Sequence, residues 1–332
     1  MSVGGPPIDA LAVRERLRTA ASSAELAQAR LWLPKAPGSE SPPLPQDLIR
    51  LLFRMRLPYM RAAAPTVCQA ARTEGWDPAK VLTVLLAEEV HGRERSSKEH
   101  RRAAAGFPTG KTFHAWREAD SPIPIETQRA LRALDWVGRA ENLVLVGPSG
   151  TGKSHLAEAV GHAAIDAGLW VTWFSLESLT AVITRSKVDI TTHKVVTPIC
   201  RSELIVVDDI GQLPAGQDEA EALYRLVDAA YERRSLVLTS NLHPGAFDTI
   251  LPKGLATATV DRLLHHAHVV VTEGRSQRLE DALAGRGVAP LEHAPDATRA
   301  TTPAPRSMSG ERHGRERSGT SARAGGPRDT GA

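Results

Sequence analysis

Cysteine is nearly absent from this chain: Cys68 and Cys200 are its only two, far apart and outside any C-x-x-C or Cys/His spacing. That excludes a disulfide framework and a cysteine-ligated zinc fold, and makes a reducing cytoplasm the expected setting. Aromatic residues are also scarce at 4%, so Ala, Leu and Val carry most of the packing. No stretch approaches the roughly 18–20 consecutive apolar residues of a membrane span. The N-terminus lacks a basic segment followed by an apolar core, so no export signal and no membrane partner are expected. Charge of one sign is scarce too: 41 Lys and Arg against 38 Asp and Glu leave a net charge of +3. That balance permits a nucleic-acid partner without demanding one.

What is present suggests a two-domain organisation, since 332 residues exceed one ordinary core. Residues 1–45 read as a flexible extension, with a Pro, Gly and Ser-rich run from Pro34 to Pro45. Residues 46–105 read as a small α-helical domain, because Leu48, Ile49, Leu51, Leu52 and Met55, and then Val81, Val84, Leu85 and Val90, fall at helical spacings. Recurrent Gly and Pro between Gly106 and Pro124 mark residues 106–140 as a connector. From Glu141 to 289, short apolar runs alternate with helical stretches, the pattern of an α/β parallel sheet flanked by helices. The expected strands are Leu143–Val146, Trp170–Phe174, Leu204–Val207, Leu236–Thr239 and Val269–Val271. The expected helices are Lys153–Ala167, Glu177–Ser186, Glu219–Arg233 and Thr257–His266. Residues 290–332 hold almost no large apolar side chain and read as a disordered tail.

The chemistry is concentrated in Gly147, Pro148, Ser149, Gly150, Thr151, Gly152, Lys153 and Ser154, which match G-x-x-x-x-G-K-[ST] between an apolar strand and a helix. Glycines let the backbone wrap a polyphosphate, and the amides at the helix start supply donors and positive potential. Lys153 is placed to reach the β- and γ-phosphates of ATP and Ser154 to ligate Mg2+. A similar run, Gly106 to Thr112, has three intervening residues instead of four and no strand before it, and reads as a connector turn.

Two strand ends extend the site. Leu204–Val207 runs into Asp208 and Asp209, at the carboxyl edge where open α/β sheets bind ligands. Asp208 is expected to hold Mg2+ and Asp209 to polarise the attacking water. Leu236–Thr239 ends in Ser240 and Asn241, whose amide is a candidate water-orienting sensor, although Asn-Leu-His-Pro is equally a turn sequence.

With Asp261-Arg262-Leu-Leu-His-His-Ala-His268, Tyr231-Glu-Arg-Arg-Ser235, Leu57-Pro58-x-Met60 and Gly106-Phe-Pro-x-x-Lys111-Thr112, these elements make residues 46–278 resemble the IstB-type transposition helper ATPases. That family belongs to the AAA+ superfamily of P-loop NTPases and is related to the DnaC-type helicase loaders. The resemblance implies strand order 5-1-4-3-2 and a slow, assembly-dependent ATPase on residues 141–289 with a truncated lid. It also implies that Arg262 is an arginine finger acting in a neighbouring subunit of a homo-oligomer; a salt-bridged helix arginine is the alternative. Arg278 is a weaker candidate for a second phosphate-sensing arginine. Most AAA+ proteins carry glutamate where this chain has Asp209, which suggests slow turnover.

The function so implied is an ATP-dependent helper that assembles on DNA and recruits or stimulates a separate transposase in insertion-sequence transposition. Candidate phosphate contacts are Arg93, Arg95, Lys98, Arg101 and Arg102, whose interleaved Glu94 and Glu99 equally fit a solvated helix face, and Lys187, Lys194 and Arg201. No aromatics interleave them, so base stacking on single strands is not indicated. His265, His266 and His268 read as a helix end followed by a strand, with a metal site as the rarer alternative. A replicative helicase loader contacting a helicase shares the ATPase core. A P-loop small-molecule kinase and a nucleotide-binding module without hydrolysis are the readings from other classes.

Overall fold

The computed structural model describes residues 42–185, 192–211, 216–249, 251–274 and 276. The expected tail, most of the expected extension, Lys187 and Arg278 lie outside them.

The chain enters through three helices, α1 (Gln46–Arg54), α2 (Pro58–Glu74) and α3 (Pro78–Ala105). Each boundary has a local cause. Pro58 and Pro78 occupy first-turn positions where a missing N–H costs nothing. Gly75 and Gly106 terminate α2 and α3 in the left-handed conformation, at φ 66° and 78°. Asp77 caps α3 by accepting from the Ala79 amide at 2.8 Å. The start of α2 is capped from a distance: buried Glu89 accepts the Tyr59 and Met60 amides at 3.0 and 2.9 Å and pairs with Arg93. Burial works to raise the Glu89 pKa, but the amides and Arg93 outweigh it and hold the carboxyl below its usual range. Ala64, Val67, Val84 and Leu85 form a small core between α2 and α3.

The far end of α3 reaches the sheet. Arg102 pairs with Asp166, and the Arg101 guanidinium lies 5.3 Å from the Trp170 ring centroid. The segment that follows carries helices α4 (Ile125–Ala133) and α5 (Asp135–Gly138).

Five strands then alternate with helices: β1 (Asn142–Val146), α6 (Lys153–Asp166), β2 (Val171–Ser175), α7 (Leu176–Arg185), α8 (Thr192–Ile199), β3 (Leu204–Ile210), α9 (Gln217–Ala230), β4 (Ser235–Ser240), α10 (Lys253–Leu264) and β5 (Ala267–Val271). All pairings are parallel, and the order is β2-β3-β4-β1-β5. This is the 5-1-4-3-2 order of the sequence expectation. The period-2 alternation of each strand feeds two cores. Leu143, Leu145, Leu204, Val206 and Val237 face α6 and the Leu131–Trp136 segment; Val144, Val146, Ile205, Val207 and Leu238 face α7, α9 and α10. Each fully buried Val, Leu or Ile contributes about 1.5–3 kcal/mol, so the sheet is a rigid platform. Among the described residues, no helix is long and apolar enough to cross a membrane.

Candidate nucleotide site

The loop from Gly147 to Gly152 leaves the carboxyl end of β1 and opens α6. Gly147, Gly150 and Gly152 hold φ of 150°, 86° and 92°, a backbone conformation that side chains rarely tolerate. A Cβ on Gly147 would meet the Thr272 carbonyl oxygen at 2.1 Å. Thr272, just past β5, braces the loop: its hydroxyl contacts Thr151 Oγ1 at 2.7 Å and donates to the Val146 carbonyl at 3.1 Å. Sequence reasoning missed Thr272, because nothing local marks a contact across 121 residues. Lys153 Nζ donates to the Gly147 and Pro148 carbonyls, 2.7 Å each.

Ser154 Oγ donates to Asp208 Oδ1 at 2.9 Å, and Thr239 donates to the same oxygen. The Asp208 pKa is raised, mainly by burial and further by the neighbouring Asp209 carboxylate. A buried carboxylate beside a hydroxyl from the phosphate loop has the donor chemistry of a Mg2+ site. Asp209 follows where the β3–β4 register shifts between Val207 and Ile210. It takes φ 62°, uncommon for a residue with a side chain, and its amide donates to Thr239 Oγ1 at 2.9 Å. The bulge turns consecutive acids apart: Asp208 is buried against Ser154, while Asp209 is exposed and lines the cavity.

That cavity, about 340 Å3, is lined by Ser149–His155, Asp209 and Asn241, together with Lys111, Trp116, Arg117 and Asp120 of the connector. The connector thus forms a wall of the site. Trp116 lies against Gly152, with ring carbons 3.2 Å from where a Cβ would stand. Its indole N–H donates to Gln128 Oε1 at 2.7 Å, and buried Gln128 donates in turn to the Ile123 carbonyl at 2.6 Å. His155 meets the Trp116 ring edge-on at 5.0 Å, and burial, then the Lys111 charge, lower its pKa. The Gly106–Thr112 run cradles an internal anion: the amides of Thr109 and Gly110 donate to Glu158 Oε1 of α6 at 3.1 and 2.5 Å. This fixes the wall to the helix that starts at Lys153.

Arg262 lies elsewhere. It is absent from the residues lining the cavity, pairs with Asp228 at 3.3 Å, and stacks 5.5 Å from the Tyr224 ring centroid. His268 is paired with Glu141 at 2.7 Å, apart from His265 and His266. In the basic stretch of α3, Arg93, Arg101 and Arg102 are engaged in the intramolecular contacts above.

The chain is 32% identical over 237 residues to an insertion sequence IS21 putative ATP-binding protein of Pseudomonas aeruginosa, covering 71% of this chain and 89% of that one. It is 35% identical over 206 residues to an IS232 putative ATP-binding protein of Bacillus thuringiensis, covering 61% and 82%. Among solved structures, the DnaC helicase loader aligns with 18% identity and TM-score 0.39, over 50% of this chain and 98% of that one. AMPPCP-bound DnaA from Aquifex aeolicus aligns with 18% identity and TM-score 0.43, over 56% and 59%. The sequence profile of the IstB-like ATP binding proteins matches residues 51–284, and the chain belongs to that family.

Proposed function

We propose that this chain is an ATPase helper of insertion-sequence transposition: it hydrolyses ATP to ADP and phosphate, assembles on DNA as a homo-oligomer, and recruits or stimulates a separate transposase. The observation that carries the hydrolytic reading is the split of the acid pair, with Asp208 held to Ser154 and Asp209 turned into the same cavity as Asn241. The insertion-sequence relatives supply the biological setting.

The loop amides and Lys153 bind the phosphates, Lys153 exchanging the Gly147 and Pro148 carbonyls for the β- and γ-phosphate oxygens. Ser154 and Asp208 would hold Mg2+, which would supply charge neutralisation for the phosphates. Asp209 draws a proton from the attacking water and Asn241 orients it. Trp116 and Asp209 both line the cavity, and the indole limits bulk water there. Arg262 acts in trans, stabilising the transition state in a neighbouring copy.

The test is phosphate release by the purified chain with and without duplex DNA, with particle size followed by light scattering. ATP and DNA together are expected to produce large assemblies and faster turnover, and Lys153→Ala to abolish both. A wild type that stays monomeric with DNA-independent turnover overturns the transposition role. Capture of a replicative helicase in place of a transposase would turn the reading into a loader.

A further inference from the structure

We propose that Glu232, His265 and His266 form a binding site for a divalent transition-metal ion of the zinc class, separate from the nucleotide site. One ligand atom from each residue lies within 4.8 Å of the other two, and all three side chains are open to solvent. Two imidazoles and one carboxylate suit Zn2+, Ni2+ or Cu2+, whereas Mg2+ prefers an all-oxygen shell. His266 Nε2 and Glu232 Oε1 are 3.6 Å apart, close to the edge of a tetrahedron with bonds of about 2.0–2.1 Å.

Three features pre-position the ligands. Tyr231 Oη meets His265 Nδ1 at 2.7 Å, which leaves Nε2 as the ligating atom, the outer-shell arrangement that orients metal-binding histidines. The His266 carbonyl accepts the Asn142 amide at 2.7 Å, anchoring its backbone to the first strand. Glu232 takes φ 54°, a left-handed conformation in which glutamate is uncommon, and this turn carries its carboxylate to His266. The ligands come from the turn after α9 and the junction of α10 with β5, so a bound ion would clamp two segments about thirty residues apart. Both segments precede strands β4 and β5, at the amino edge of a parallel sheet whose carboxyl edge carries the phosphate loop. The ion would therefore not compete for Ser154 or Asp208. A fourth coordination position remains for water.

The test is calorimetric titration of the nucleotide-free full chain with Zn2+ in saturating Mg2+, read together with Tm. One ion per chain, with Kd of about 10 µM or tighter and a Tm raised by zinc, is expected. Glu232→Asn and His266→Asn should each weaken binding by at least about tenfold, and Tyr231→Phe, which removes no ligand, by about tenfold. Because Asn accepts the left-handed conformation better than Glu, Glu232→Asn should fold with an undiminished metal-free Tm yet lose the zinc-induced rise. His268→Asn should leave the titration unchanged. Absence of binding at about 100 µM Zn2+, or a titration unchanged in either Glu232→Asn or His266→Asn, overturns the site.

Discussion

Asp208 carries the plainest conflict in the molecule. Burial disfavours its charge, and the two hydroxyls donating to Oδ1 stabilise that charge only in part. Its folded pKa is raised above the unfolded value of 3.8, so at neutral pH the ionised group costs stability in the cation-free protein. Asparagine keeps the accepting oxygen and removes the charge. Asp208→Asn is therefore expected to raise the nucleotide-free Tm by roughly 1–4 °C in a fluorimetric melt while Mg2+-dependent phosphate release is lost. A lower Tm would show that the carboxylate is structural. Asp209→Asn, which the left-handed backbone accepts readily, should retain nucleotide binding and lose turnover by about a hundredfold or more. At this scale the sequence was most readable where chemistry is contiguous: the eight residues Gly147–Ser154 and the pair Asp208–Asp209 stand next to one another in the chain. Thr239 and Thr272 were not read as site residues, because a threonine near a strand end carries no sign of the distant atom it contacts.

The element that reshapes the site is the connector. Its Gly and Pro residues mark a linker in the sequence, yet residues 106–124 fold back over the phosphate loop, pinned by Glu158 at one end and Gln128 at the other. The strands were legible because each is a short apolar run between helices, whereas their order came only from the family resemblance, since a run of apolar residues does not name its neighbours in the sheet. Helix α8 was not, since Thr192–Ile199 spans only two turns and contains Pro198. The connector wall was hidden for a different reason: its cohesion rests on single buried polar contacts, which have no periodicity. Trp116 makes the wall measurable. Because its ring lies on Gly152, ATP binding is expected to change indole emission; Trp116→Phe should abolish that change, and Trp116→Ala should weaken nucleotide binding by about tenfold. A nucleotide response that survives Trp116→Phe would place the moving indole elsewhere.

For the molecule as a whole, protonation sets an acid limit. His155 and His162 have pKa values lowered from 6.5, first by burial. Between their depressed folded pKa and 6.5 the unfolded chain binds more protons, so the stability present above 6.5 is lost as pH falls through that window. A second loss follows at lower pH, where Glu89 and Glu141 are held below 4.5, Glu141 at about 2 by its hydrogen bond from Arg139. Melting curves should therefore fall as pH drops below 6.5, and His162→Leu, filling the space against Phe107, should shrink the first step to the part His155 contributes and leave the second.

The cavity is lined by the phosphate loop, Asp209 and Asn241, while Arg262 sits outside that lining, paired with Asp228. The proposed assembly, in which each copy completes the next, would bring the two together. The direct test is to mix Asp209→Asn, which keeps nucleotide binding, with Arg262→Ala in the presence of duplex DNA and measure ATP hydrolysis. Each variant alone is expected to be nearly inactive, and the mixture to recover a substantial fraction of wild-type turnover, because an Arg262→Ala chain keeps a sound site that an Asp209→Asn neighbour can complete. A mixture as inactive as its parts, or an Arg262→Ala protein with full activity alone, would contradict the account.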